Sequence, residues 1–335
     1  MMRIGLAGAG LVGRRHLDAM ARVRGMALSA VLDPVMADDD PLPRVQSLAD
    51  LIAQSDGIIL ATPNHTHRPM AEEVLRAGLP VLVEKPLADT SDNARHIANT
   101  AAETGTPVLV GHHRRHNPLI AKAKEIVDSA ALGAITTVHG NCWLPKPDSY
   151  YDQAWRQAAG AGPLFINLIH DVDVLMYLCG PIVAVQAFEA NAQRQAAAEE
   201  VVAATVRFAS GALGTLNLSD TALGPWSWEL TAGENPAYPK TEQSSYLIGG
   251  THGSLALPNL TVWSQENGPD WWAPISTTRY PVDSIDTLVA QLEHFSQVIA
   301  GRAQPRVSAQ DGLRAVSVIE AIKQAAQTGQ TVTLE

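Results

Sequence analysis

Cysteine is almost missing from this chain. There are two, Cys142 and Cys179, far apart and in no metal-binding or redox spacing. A disulfide framework finds no support in them, and a reducing compartment fits. No basic run occurs, and the formal net charge is -10. A nucleic-acid backbone would be repelled rather than attracted. No apolar run approaches the ~20 residues needed to span a membrane. The start, "MMRIGLAGAGLVGRRHL", is apolar only briefly and is broken by four glycines. It lacks the basic start, long apolar stretch and small-residue cleavage site of a signal peptide. There is no internal repeat and no low-complexity segment. These absences predict a cytoplasmic, soluble protein that uses neither nucleic acid nor membrane as a partner.

What is present is a globular composition, 46% hydrophobic over 335 residues. That length exceeds what one core usually serves, so two domains are expected. In the first third, short apolar runs (3–8, 27–33, 57–62, 79–84, 106–111) alternate with helical patterns. Continuous apolar runs suit strands buried on both faces. The rhythm predicts an α/β fold with a doubly wound parallel sheet over residues 1–118. Beyond that, a helix near 118–133 leads into "AITTVHGNCW", and an apolar helix covers 163–178. Strand-like runs follow at 182–190, 200–208, 212–219, 226–232, 244–249 and 254–257, then helices near 284–300 and 308–328. Runs of strands with few helices between them predict an α+β domain with a mainly antiparallel sheet over 119–335.

"GAGLVG" places Gly8, Gly10 and Gly13 in G-x-G-x-x-G spacing between a predicted strand and a predicted helix. Gly8 permits the tight turn, Gly10 lets the backbone approach a pyrophosphate, and Gly13 lets helix and strand pack closely. Free N–H groups of the helix start, at Leu11 and Val12, suit an anion. The second strand ends at Asp33, twenty residues after Gly13. A carboxylate there accepts both ribose hydroxyls and repels a 2′-phosphate, so the expected cofactor is NAD. The bland reading is that Asp33 only begins a turn before Pro34. Strand 57–62 ends in Thr62, Pro63 and Asn64, placed to touch the cofactor, with His67 just beyond. His65 and His67 lack a third ligand, and a metal is rejected.

"VLVEKP" ends another parallel strand, so Glu84 and Lys85 should face the same crevice. A partly desolvated Lys85 beside a cationic nicotinamide would serve proton transfer. The alternative is a surface ion pair at a strand end. In this order "GAGLVGRRH", "ATPN" with His67, and "EKP" resemble the glucose–fructose oxidoreductase / inositol dehydrogenase / rhizopine catabolism family (Gfo/Idh/MocA). "VGHHRRHNP" (110–118) and "AWRQAAGAGPLFINLIHDVDVLMYLCG" (154–180) extend the resemblance over nearly the whole chain. It implies a Rossmann domain, a C-terminal domain with a large open sheet, and homodimers or homotetramers assembled through that sheet. It also implies a Pro86 peptide that is often cis, and glycine-loop, Glu84 and Lys85 contacts to cofactor.

On the helix 163–178, Asn167, His170 and Asp173 form a polar ridge on an apolar surface. Buried polar groups are costly unless paired, so such a ridge should face a partner or ligand. A core histidine bonded to a carbonyl is the plain reading; the resemblance makes His170 the catalytic histidine, with Lys85 polarising the same oxygen. Many members carry an aspartate four residues before that histidine. Here Ile166 stands there, so Asn167 is left to orient substrate hydroxyls. Arg115, Trp155 and Arg156 are further substrate candidates, Arg156 equally well a surface salt bridge. His112 and His113 are expected to be solvated. The tryptophans at 226, 228, 263, 271 and 272 could stack on a sugar or pack an interface.

The expected activity is NAD-dependent oxidation of a secondary alcohol or hemiacetal of a sugar, polyol or related cyclic compound. The alternatives are a dehydrogenase for a cis-dihydrodiol or other aromatic catabolite and, in a different class, a catalytically silent NAD-binding regulator.

Overall fold

The computed structural model describes residues 1–37, 39–158 and 160–334, and of Trp155 the backbone alone. In chain order the elements begin with β1 (Met2–Ala7), α1 (Leu11–Met20), β2 (Met26–Leu32), α2 (Leu48–Ala53), β3 (Gly57–Leu60), α3 (Asn64–Arg76), β4 (Val81–Val83), α4 (Ser91–Thr104) and β5 (Val108–Val110). Then come α5 (Pro118–Asp128), β6 (Ile135–Trp143), α6 (Ile169–Cys179), β7 (Ile182–Ala190), β8 (Val201–Phe208), β9 (Leu213–Ser219) and α7 (Trp228–Thr231). The last are β10 (Tyr246–Gly250), β11 (Gly253–Leu257), β12 (Thr261–Ser264), β13 (Ser276–Arg279), α8 (Thr287–Ile299), α9 (Ala309–Thr328) and β14 (Val332–Thr333). Among the described residues no helix is long and apolar enough to cross a membrane.

Two units divide the chain, Met1–His116 with Asp286–Val316, and Asn117–Ile285 with Ser317–Glu335. In the first, five parallel strands run in the order β2-β1-β3-β4-β5. Their registers pair Ala7 with Leu60, Leu60 with Val83 and Val83 with Val110. The strand ends therefore fall level, and the residues that follow (Gly8, Ala61, Glu84 and Gly111) share one edge. Ligands bind along that edge in open parallel sheets.

The expected boundary at 118 needs a correction, because residues 286–316 belong with the first unit. Leu292, Phe295 and Val298 of α8, and Val307, Ala309 and Leu313 beyond it, are buried in the core of the parallel sheet. Gly57 at the start of β3 makes room for α8: a Cβ there would lie 2.6 Å from Ile299 Cδ1. A sequence pass reads elements in order and cannot see a late helix return to an early sheet.

The second unit holds a nine-stranded sheet, order β13-β12-β11-β10-β6-β9-β8-β7-β14. Only β6 and β9 pair parallel; every other neighbouring pair is antiparallel. On β8, Val202, Ala204, Val206 and Phe208 are buried while Ala203, Thr205 and Arg207 are exposed. That alternation is the signature of a sheet covered on one face. The open face carries Phe188, Leu213 and Leu247, respectively 73%, 58% and 48% exposed.

Two predicted elements differ. Residues 226–232, expected as a strand, contain the short helix α7. Ser227 caps it by accepting the Leu230 N–H, and Trp228 is buried in a stack on Tyr246 with ring centroids 5.7 Å apart. A serine cap overrode the apolar pattern. The helix expected at 163–178 is also not uniform: Leu164–Leu168 forms a π-helical turn before α6 begins.

Candidate functional site

In the first unit the glycine loop has the shape a pyrophosphate requires. Gly8 has φ +88°, and a Cβ there would lie 2.4 Å from Ala61 O. At Gly13 a Cβ would lie 2.0 Å from Gly8 O, so only glycine lets α1 start this close to β1. Gly10 has the opposite environment, with nothing within 4 Å of where its Cβ would be. As N-cap of α1 it offers no side-chain cap, so the first-turn N–H groups are left for an anion. Leu11 and Val12, 82% and 41% exposed, stand over the same turn.

Asp33 lies where β2 ends. Its Oδ2 accepts the Ala9 N–H at 2.7 Å and its Oδ1 the Val35 N–H at 2.9 Å. The carboxylate thus staples the glycine loop to the end of β2 and also forms the turn before Pro34 that the bland reading described. Each oxygen keeps a lone pair for a ribose hydroxyl. Arg44, the next arginine in sequence, is turned onto the carbonyls of Met36 and Ala37. This donor and acceptor set fits NAD. Thr62 is half-buried where β3 ends, and Pro63 and Asn64 open α3 at the surface.

Glu84 and Lys85 follow β4, and the Lys85–Pro86 peptide is cis. Glu84 corrects an expectation. It is 9% exposed and points into the unit, where His16 Nε2 of α1 lies 2.7 Å from its Oε1. Its Oε2 accepts the Lys85 backbone N–H at 3.1 Å. Burial pushes the carboxyl up, but the hydrogen bond and charge of His16, with His113 and Lys85, outweigh it and bring it down to about 2. In this structure its carboxylate is engaged by the protein's own framework, at His16 and the Lys85 main chain.

His67 needs a similar correction. It has no solvent exposure, and its ring lies between Pro86 O (3.0 Å from Nδ1) and Thr62 O (2.9 Å from Nε2). Burial lowers its pKa against those bonds. The imidazole thus bridges the Thr62 and Pro86 segments. Arg115, expected at substrate, is 5% exposed, with its guanidinium 3.7 Å from Asp311 and 3.5 Å from Arg306 O. It ties the turn at 113–116 to the start of α9. His112, expected to be solvated, is buried.

In the second unit, the π turn carries Asn167 and the first turn of α6 carries His170, 8% and 7% exposed. Such turns insert a residue into a helix and re-aim the side chains around it, which is frequent at functional sites. Asn167 Oδ1 is buried and has no hydrogen-bond partner among the described residues. An acceptor in that state calls for a donor, and a substrate hydroxyl is one. Asp171, on the next position, accepts the Tyr246 hydroxyl and so braces α6 on β10. Arg156 donates to Tyr150 O at 2.7 Å with its guanidinium 4.1 Å over the Tyr150 ring. The side chain of Trp155 lies outside the described residues.

Sequence reasoning missed two buried networks. His16 ends the "GRRH" stretch of the glycine loop and helix start, where nothing local marks its partner Glu84. Asp220, 2% exposed, accepts from Tyr151 and from Arg194 (2.9 Å), with Lys146 3.7 Å away. Its partners lie 26 to 74 positions away, and no local pattern marks them. Among the described residues no cluster of His, Cys, Asp or Glu could hold a metal.

Comparisons agree with this geometry. Residues 2–112 match the family described as an oxidoreductase family with an NAD-binding Rossmann fold, and residues 120–256 match the GFO/IDH/MocA C-terminal domain. The chain is 26% identical to a 1,5-anhydro-D-fructose reductase of Ensifer adhaerens, over 100% of this chain and 99% of that one. It is 28% identical to a 4-carboxy-2-hydroxymuconate-6-semialdehyde dehydrogenase of Sphingobium, over 67% of this chain and 74% of the other. In fold it is similar to the WlbA dehydrogenase of Bordetella pertussis, crystallised with NADH and UDP-GlcNAcA. The TM-score is 0.78 at 24% identity, covering 100% and 99% of the two chains. The glycine cradle and Asp33 in one unit, the mixed sheet in the other, and matches to both halves in the same order lead to one assignment: this chain is an NAD-binding oxidoreductase of the Gfo/Idh/MocA family.

Proposed function

We propose that the chain oxidises a secondary alcohol or hemiacetal of a sugar, polyol or related cyclic compound. The observation that carries this reading is Asn167: its carbonyl oxygen is buried with no hydrogen-bond partner among the described residues, three positions before a buried His170. A hydroxylated substrate supplies the missing donor. When bound, NAD supplies the hydride acceptor. The loop of Gly8, Gly10, Leu11, Val12 and Gly13 holds its pyrophosphate and Asp33 its ribose, with Thr62, Pro63 and Asn64 along the same edge. In the proposed division of labour His170 takes the hydroxyl proton and Lys85 stabilises the negative charge that develops on the oxygen. Arg156 and Trp155 are assigned to substrate, Arg156 working from the face of Tyr150. Ile166 supplies no carboxylate, so His170 is the main base.

A second reading follows from the relative that acts on a carboxylated muconate semialdehyde. An aromatic catabolite would equally suit a site without a carboxylate at Ile166. Incubating the purified protein with NAD and a panel of sugars, polyols, sugar acids, dihydrodiols and cyclic hemiacetals, and following NADH formation, separates the two. Turnover confined to the aromatic catabolites overturns the sugar reading. No turnover, in protein that binds NADH, favours a silent regulator.

We also propose a homo-oligomer formed through the open face of the nine-stranded sheet. Phe188, Leu213 and Leu247 are large apolar side chains on that face, and a second copy would cover them. Light scattering decides it: a monomer at micromolar concentration rejects the interface, and Leu213→Asp should split an oligomer.

A further inference from the structure

The parallel sheet contains a device that the glycine loop and its cofactor do not explain. His16 lies on α1, one turn beyond Gly13, with no solvent exposure. Its Nε2 lies 2.7 Å from Glu84, which in turn accepts the N–H of the next residue, Lys85. Glu84 has a slot made for it: a Cβ on Gly111, where β5 ends, would come within 2.9 Å of the Glu84 carboxylate. A buried carboxylate is costly unless its hydrogen bonds are met, and here each oxygen has one donor. On the far side of Lys85, His67 of α3 touches Pro86 O and Thr62 O. Lys85 is thus flanked in sequence by two points of attachment, each ending in a histidine without exposure.

We infer that His16 is a positioning residue for Lys85, acting through Glu84, with His67 fixing the segment from the other side. A lysine ends in four rotatable bonds, so its ammonium is placed only as well as its main chain is held. The arrangement also ties Lys85 to the helix that bears the glycine loop, and to the loop of Thr62. The residues that hold cofactor and the residue proposed to meet the reacting oxygen are therefore referenced to one framework. The inference rests on the reading of Lys85 as a reacting group.

The test uses the full-length protein without cofactor. Lysines are dimethylated with isotope-labelled formaldehyde, and the Lys85 resonance is assigned by its loss in Lys85→Arg. His16→Leu removes the donor to Glu84; His16→Gln keeps an N–H at the same reach. The expected result is one sharp Lys85 resonance in the native protein, a broadened or split one in His16→Leu, and recovery in His16→Gln. NADH affinity should stay within about threefold in His16→Gln. An unchanged Lys85 resonance in a folded His16→Leu protein overturns the inference. So does failure of His16→Gln to restore it, since His16 would then serve only the general packing of α1. Because this readout is geometric, it is independent of Lys85→Met turnover. Full activity in Lys85→Met would reject the catalytic reading of Lys85 and leave the measured positioning intact.

Discussion

The two sheets of this protein place polar residues in opposite ways. In the parallel sheet β3, β4 and β5 are buried at every position, and the polar chemistry sits past the strand ends, at Gly8, Thr62 and Glu84-Lys85. In the mixed sheet the strands alternate between a covered and an open face, and His170 and Asn167 come from a helix and its π turn. The reason lies in pairing geometry. Parallel strands in register end together, so successive loops gather on one edge without further instruction. Strands of an antiparallel sheet end alternately at opposite edges, and no edge collects the loops. A side chain must then be delivered from an element packed on the face.

If that contrast is right, substitutions past the parallel strand ends strike chemistry and cofactor, and those inside the scaffold of the mixed sheet strike stability alone. The largest effect should come from Lys85→Met, with turnover down about 1,000-fold while NADH affinity is retained. Equal loss of turnover and NADH affinity, by kinetics and fluorescence titration, would make Lys85 a cofactor anchor. Gly13→Ala comes next. Its Cβ would meet main chain 2.0 Å away, and backbone cannot swing aside as a side chain can. NADH affinity should fall on the order of 100-fold in the same titration.

Acid should then act through Glu84. Its carboxyl is held at about 2 in the folded protein, below the ordinary 4.5. The unfolded chain binds that proton first as pH falls. The stabilisation is therefore complete above about pH 5 and drains away toward pH 2, on the order of 3 kcal/mol. Urea titrations across that window should show the slope, and Glu84→Gln should flatten it. The smallest effect belongs to the mixed sheet's unit. Tyr151→Phe leaves Asp220 one donor short and should cost about 1–2 kcal/mol in urea unfolding. NADH affinity should not move; a parallel loss of binding would break the contrast.

The buried carboxylates extend the comparison. Glu84 was legible as unusual, since charge follows a buried run without a turn glycine, but its direction was not. "EKP" suggested a side chain facing cofactor, and the structure turns Glu84 inward to His16, 68 positions away. Arg115 and His67 repeat the lesson. Each stands in a motif that invites a ligand, and each is held by its own unit. A motif records which residue types a family needs, and positioning and contact can require the same types.

The parallel sheet, the glycine cradle, the acidic end of β2 and the apolar helix that bears His170 were all legible along the chain. Those features rest on local physics: strand burial, the freedom of glycine, the charge on one carboxylate and the period of a helix. Tertiary structure settled that α8 completes the first core and that Trp228 stacks on Tyr246. It also decided which polar residues look outward and which bind the framework. Those outcomes depend on contacts between positions tens to hundreds of residues apart, set by which surfaces can bury each other, and a periodicity read along the chain carries no information about them.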